Sequence, residues 1–202
     1  MNNPTLYGQD TAIAAAISQL VTSYDAAGKL LICGNGGSAA DCEHIVGELM
    51  KGFCLKRPTT ADDRARLVEI AGANGDVLAD QLQYGLPALS LVSHSALITA
   101  VANDLDGDLI FAQQVWGLGR AGDVLLAIST SGNSKNVLQA AQVARAKNMP
   151  VIGLTGASGG ALAGLCDILI AVPSDDVANI QEMHLPIYHE ICRRLEAHYF
   201  TE

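Results

Sequence analysis

No run of lysine and arginine occurs anywhere in the chain, which carries 12 basic residues against 21 acidic ones and a formal net charge of −9. Nucleic-acid binding needs clustered positive charge to displace counterions, so this balance excludes a DNA or RNA footprint. Nor does any apolar stretch approach the roughly 20 residues that span a bilayer. Segments such as 86–92 and 124–128 fall far short of it. The opening residues, MNNPTLYGQD, lack both a basic and an apolar leader segment, so the expected setting is cytoplasmic, without a membrane partner. The five cysteines, Cys33, Cys42, Cys54, Cys166 and Cys192, are odd in number and never spaced C-x-x-C. That pattern suits neither a disulfide framework nor a thiolate zinc site, and predicts reduced, mostly buried thiols. Repeats, low-complexity tracts and Pro/Ser linkers are also missing, so nothing divides residues 1–202 into more than one domain.

What the chain does have is apolar patterning. Half of its 202 residues are hydrophobic and only 16% are charged, enough to build a single core. Positions Ile13, Ala16, Ile17, Leu20, Val21 and Tyr24 predict an amphipathic helix over 9–27 that stops at Gly28. Short apolar runs at 29–33, 86–92, 124–128, 150–154 and 168–172 predict five buried strands. Two of them lead through a polar loop into a helix, at 39–50 and up to about 148. Buried strands alternating with helices predict an α/β fold, a doubly wound five-stranded parallel sheet with helices on both faces. Ligands then belong beyond the carboxyl ends of the strands. The segment 59–84 departs from that rhythm and is expected to form two short helices broken at 72–75, an insertion in the single domain.

Two loops have the makings of an anion site. After the first strand, Gly34, Gly36 and Gly37 permit a sharp turn with outward amides, and Ser38 is placed to cap the next helix. A helix N-terminus attracts anions through free N–H groups and the macrodipole. No Gly-Lys-Ser/Thr follows, so this is not a nucleoside triphosphate loop; an ordinary glycine-rich turn is the other reading. After the third strand, Ser129, Thr130, Ser131 and Ser134 crowd one strand end, more hydroxyls than a capped turn requires. Hydroxyls and amides can hold a phosphate without lysine. Together the loops favour a phosphorylated small molecule. The sequence from Gly117 through Gly119 to Gly122 also fits G-x-G-x-x-G, but it precedes a strand and so predicts a helix end and turn, not a dinucleotide site.

Two further groups could do chemistry. His44 and Glu48, four apart, share one face of the helix that follows the first loop. Gln181, His184 and His189 lie at helical spacing near the C-terminus, with Gln181 and His189 on one broad face. Two histidines, a glutamate and a glutamine would suit a metal with nitrogen and oxygen ligands, although spacing alone cannot bring the two helices together.

These residues carry a resemblance. Cys33 to Ser38 (CGNGGS), His44 with Glu48, Asn103 with Asp104, Ile128 to Ser134 (ISTSGNS), Leu154 to Gly156, and Ile180 to His184 followed by His189 are together similar to the sugar isomerase (SIS) domain proteins. Within that family they most resemble the sedoheptulose 7-phosphate isomerases, or phosphoheptose isomerases. The resemblance implies a flavodoxin-like fold and aldose–ketose isomerisation of a sugar phosphate through an enediol. It implies Glu48 and His189 as the acid/base pair, and a phosphate cradle of Gly36, Gly37, Ser38, Ser129, Thr130, Ser131 and Ser134. Asn35, Asp104 and Gln181 would contact the sugar. Zinc is implied at His44, Glu48, Gln181 and His189, with a homotetramer whose sites lie between subunits. Two positions depart from the family pattern: Gly52 stands where an arginine is common, and Pro186 is expected to kink the helix that presents His189. The alternative is a non-catalytic relative that binds a sugar phosphate or a protein partner such as the replication initiator. Such a relative lacks the equivalents of Glu48 and His189.

Overall fold

The structure, a computed structural model, describes residues 6–200 of the chain. Residues 1–5, part of the opening read above as leaderless, lie outside the described residues. Five parallel strands, β1 (Leu30–Cys33), β2 (Ala88–Ser90), β3 (Val124–Ser129), β4 (Val151–Thr155) and β5 (Ile168–Ala171), form one sheet in the order β2-β1-β3-β4-β5. Leu30 pairs with Ala88 on one side and Val124 on the other, and Leu125 pairs with Val151. All five expected strands are present. The sheet has its topological switch between β1 and β3, where crossovers leave in opposite directions and a crevice opens.

Alternation along the strands builds two cores. Leu30, Ile32, Leu126, Ile128, Ile152 and Leu154 face a layer made by α1 (Asp10–Asp25), α2 (Gly37–Met50) and α8 (Val177–Tyr199). Leu31, Cys33, Leu125, Ala127 and Val151 face the opposite way, toward Phe111, Val115 of α6 (Ala112–Leu118) and Val137, Ala140 and Ala144 of α7 (Lys135–Ala146). Successive side chains of a strand point to opposite faces, so a sheet covered on both sides needs apolar residues at every position. β1, β3 and β4 are buried throughout. Between β2 and α6 stands α5 (Ser95–Asp104). No described helix is long and apolar enough to cross a membrane. All five cysteines are free, with Cys33, Cys42 and Cys192 buried.

The segment 59–84 forms α3 (Ala61–Ala71) and α4 (Ala73–Gln81), broken at Gly72. Thr60 and Asp63 form a reciprocal capping box at the start of α3, and Arg64 ties the pair together through Asp76 and Asp80. No residue of α3 is buried.

Two local expectations need correction. The first helix ends at Asp25, and the residue with positive φ is Ala27 (58°), not Gly28. Gly28 is needed for close approach, since a Cβ there would sit 2.4 Å from Ser23 Oγ. Ser38 does not cap α2: the helix begins at Gly37 and its N-cap is Gly36, at φ 57°. α8 runs through Pro186 to Tyr199. The Gly117–Gly122 stretch is a helix end and turn, as its position before β3 requires.

Candidate active site

The loops after β1 and β3 flank the switch point and meet across it. Asn35 and Asn136 exchange reciprocal side-chain hydrogen bonds, both 2.9 Å. Gly34 lets them close, since a Cβ there would meet Ser38 Cβ at 2.9 Å and Ile128 O at 3.1 Å. Between the loops lies a cleft of about 240 Å³, lined by Asn35, Gly36, Gly37, Ser38, Ser129, Thr130, Ser134 and Gln181 among others. Ser129 Oγ and Ser134 Oγ stand 3.1 Å apart. Neither Gly36 nor Ser134, the N-caps of α2 and α7, makes a side-chain capping bond. Two helix starts thus converge on the cleft with hydroxyls beside them, a setting that favours an anion. No lysine or arginine lines it.

One expected cradle residue and one expected sugar contact stand outside this lining. Ser131 Oγ turns back to accept from Asn133 N (3.2 Å), and Ser131 is not part of the lining. Asp104, at the end of α5, is exposed, accepts from Asn103 Nδ2 (2.8 Å) and is not part of the lining either.

Farther along α2 lies a second cluster. His44 Nε2 is 3.2 Å from Glu48 Oε1 and 3.4 Å from His189 Nε2, so the fold joins the two helices that spacing could not. Behind His44, Tyr188 OH donates to Asp41 Oδ1 (3.1 Å) and contacts His44 Nδ1 at 3.0 Å. With its hydrogen on Asp41, the Tyr188 oxygen accepts from His44 Nδ1–H. This fixes the tautomer and leaves His44 Nε2 facing Glu48 and His189. There His44 Nε2 can accept from His189 Nε2–H, or share a proton or a cation with Glu48. Burial, helped by His44 and Arg193 and opposed by Glu48, lowers the His189 pKa, which favours the neutral imidazole. Burial also raises Asp41 and moves Tyr188 above its usual range.

The donor types, two imidazoles and a carboxylate, fit zinc, and the Asp41–Tyr188–His44 chain resembles the outer hydrogen bonding that orients metal-ligating histidines. Among the described residues, no three His, Cys, Asp or Glu side chains close into a ready cage; the contacts are pairs centred on His44. Gln181 lies with the cradle instead, its Nε2 only 2.5 Å from where a Cβ on Gly37 would be. His184 is fully buried, its Nε2 3.2 Å from Thr155 O, and takes no part.

Sequence reasoning missed Asp41 and Tyr188. Asp41 lies three residues before His44 on the same helical face and was accessible to that argument; Tyr188, next to His189, reads as a core aromatic.

A parallel sheet in this order, with glycine- and serine-rich loops at its switch point, defines a doubly wound α/β domain with an anion-binding cleft. A family profile described as SIS domain matches residues 5–62 and 68–156. The chain is 44% identical to a phosphoheptose isomerase of Rhodospirillum rubrum over 185 residues, covering 92% of this chain and 85% of the relative. Among solved structures it resembles the phosphoheptose isomerase of Neisseria gonorrhoeae (TM-score 0.75, 34% identity, 94% of this chain and 87% of the other). It also resembles that of Francisella tularensis (TM-score 0.74, 37% identity, 93% and 86%). The chain belongs to the SIS-domain family and, within it, to the phosphoheptose isomerases.

Proposed function

We propose that the protein is an aldose–ketose isomerase that converts sedoheptulose 7-phosphate to a heptose 7-phosphate. The observation that carries this reading is that one helix presents both halves of the chemistry. Gly37 and Ser38 open α2 at the anion cleft, and His44 lies seven residues on. At about 1.5 Å of rise per residue, His44 stands about 10 Å beyond Gly37. That span suits a substrate whose phosphate and carbonyl are separated by several carbons. In this reading Gly36, Gly37, Ser38, Ser129, Thr130 and Ser134 hold the phosphate, and Asn35 and Gln181 contact the sugar.

At the other end, Glu48 or His189 takes a proton from C1 of the ketose, next to the C2 carbonyl, and returns one to C2. The other group moves the remaining proton between O1 and O2 of the enediol. Two positioned acid/base groups are what this exchange needs. Holding the Tyr188 hydrogen bond, His44 keeps Nε2 directed at both. Zinc belongs to the same reading: His44, Glu48 and His189 would hold it, while Gln181, expected as a fourth donor, stands at the cradle against Gly37. When bound, it supplies Lewis-acid polarisation of the carbonyl.

The assembly is proposed to be a homotetramer. Its support is apolar surface on the α3–α4 hairpin, where Ile70 is 86% and Val77 57% exposed, a face that calls for cover. We place the protein in the cytoplasm, in keeping with its free cysteines. The pairing of Glu48 and His189 around His44 favours the enzyme over a non-catalytic sugar-phosphate binder or a partner of the replication initiator. A screen of five- to eight-carbon ketose phosphates for aldose formation tests the reading. Turnover of the seven-carbon substrate is expected; binding without turnover of any of them would contradict it.

A further inference from the structure

The floor of the active site is fastened by an ion pair that the chemistry itself does not use. Arg57 and Glu196 are each 1% exposed, among the most deeply buried charged groups among the described residues. Arg57 Nε and Nη2 reach Glu196 Oε1 at 3.1 and 3.0 Å. The rest of the guanidinium turns to the end of α2, where Nη1 donates to Leu49 O (2.6 Å) and Nη2 to Glu48 O (3.2 Å). These are carbonyls of the last helical turn, which lack partners within the helix and favour a cation. The Glu196 carboxylate meanwhile accepts from three successive amides, Phe53 N (2.7 Å), Cys54 N (2.7 Å) and Leu55 N (3.1 Å). Burial opposes its charge, but those amides and Arg57 prevail and lower its pKa.

Each end of this fastening leads to a reacting group. On α2, Arg57 holds the backbone carbonyl of Glu48 itself. Glu196 sits seven residues after His189 on α8, two turns along the same face. One of the three amides it binds belongs to Phe53, whose ring lies 5.3 Å from the His189 ring, centroid to centroid. Backbone of one acid/base residue and packing of the other are therefore set by a single pair of side chains.

We propose that Arg57 and Glu196 are positioning residues of the isomerase site, fixing Glu48 relative to His189 without touching substrate. This rests on the isomerase reading above. Misplacement of reacting groups by about 1 Å costs on the order of 100-fold in rate. The phosphate cradle, at the far end of α2, is not held by this pair. The inference thus separates kcat from KM, a split that a merely structural ion pair would not produce.

The test compares Arg57→Lys and Glu196→Gln with Asp123→Asn. Lysine keeps the charge of Arg57 but not its fork; glutamine puts a donor amide among the donors that Glu196 accepts. Asp123 is the control, also buried, bonded to Lys29 Nζ (2.5 Å), Lys29 N (2.9 Å) and Arg120 N (2.8 Å) at the amino ends of β1 and β3, away from the cleft. Thermal melts and kinetics with sedoheptulose 7-phosphate are measured on the full-length protein well below each Tm. The expected result is a lowered Tm in all three. A kcat reduced about 10–100-fold with KM near the parent value is expected only for Arg57→Lys and Glu196→Gln. Unchanged kcat in those two, or an equal kcat loss in Asp123→Asn, would overturn the positioning role and leave the isomerase reading standing. A parent protein without turnover would overturn the isomerase reading and the positioning role with it. If Glu196→Gln does not fold, Arg57→Lys decides the matter.

Discussion

Replacing Glu48 with glutamine separates its chemistry from its packing. The substitution keeps size and shape, and removes a charge that sits 3.2 Å from His44 Nε2 and 3.6 Å from Lys51 Nζ. Both contacts lie near the surface, where such pairs contribute about 0–1 kcal/mol to stability. A positioned general acid or base contributes about 10²–10⁴-fold to rate, and each tenfold corresponds to about 1.36 kcal/mol. The barrier should therefore rise by about 3–5 kcal/mol while the fold loses at most about 1. KM should change little, because the cradle of Ser38, Ser129 and Ser134 is untouched. Conversion of sedoheptulose 7-phosphate followed by NMR, beside a thermal melt of the same sample, reads both quantities. A variant that turns over within about tenfold of the parent would refute the acid/base role. So would a rate loss matched by an equal loss of stability.

Ser129→Ala and Ser134→Ala each remove a hydroxyl from the cleft; at about 1.5–3 kcal/mol per hydrogen bond to a charged group, KM should rise about 10–100-fold with kcat nearly kept, read from steady-state kinetics. Protein purified without chelator should contain zinc by elemental analysis and lose activity on chelation; full activity in a metal-free preparation would contradict the metal. Burial lowers the pKa of His184 below its usual 6.5, so the unfolded chain takes up that proton at a higher pH than the folded one. Its contribution to stability is then complete above about 6.5 and lost as pH falls through the folded value. Melts across pH 4–8 should show this loss, and His184→Gln should reduce it. Replacing 59–84 with a short Gly/Ser linker should weaken the assembly by light scattering and shift preference across the ketose phosphates, whereas an unchanged assembly and preference would leave the hairpin without that role.

The strands were legible because a parallel sheet covered on both faces demands continuous apolar runs, and β1, β3 and β4 have them. The two loops were legible because glycine and serine clusters after buried strands have few other uses. Helical spacing placed His44 with Glu48, but only the packing of α2 on α8 could add His189. Contacts between residues far apart in sequence left no local trace. Arg57 and Glu196 are 139 residues apart, and a lone arginine before Pro58 reads as surface. Capping was misjudged at Ser38 because Gly36, at positive φ, caps the helix two residues earlier. The place of Gln181 beside Gly37 follows from how the start of α8 packs on the cradle, which periodicity within α8 does not encode.

The central claim is that one helix holds a phosphate at its start and isomerises a sugar farther along. Incubating the purified protein with sedoheptulose 7-phosphate in D₂O tests it most directly, with the products read by ¹³C and ²H NMR. The account predicts an aldose heptose 7-phosphate, part of it carrying deuterium at C2, because the proton passes through Glu48 or His189 in contact with solvent. A ketose phosphate that binds the protein and stays unchanged, with no aldose and no deuterium, would contradict it.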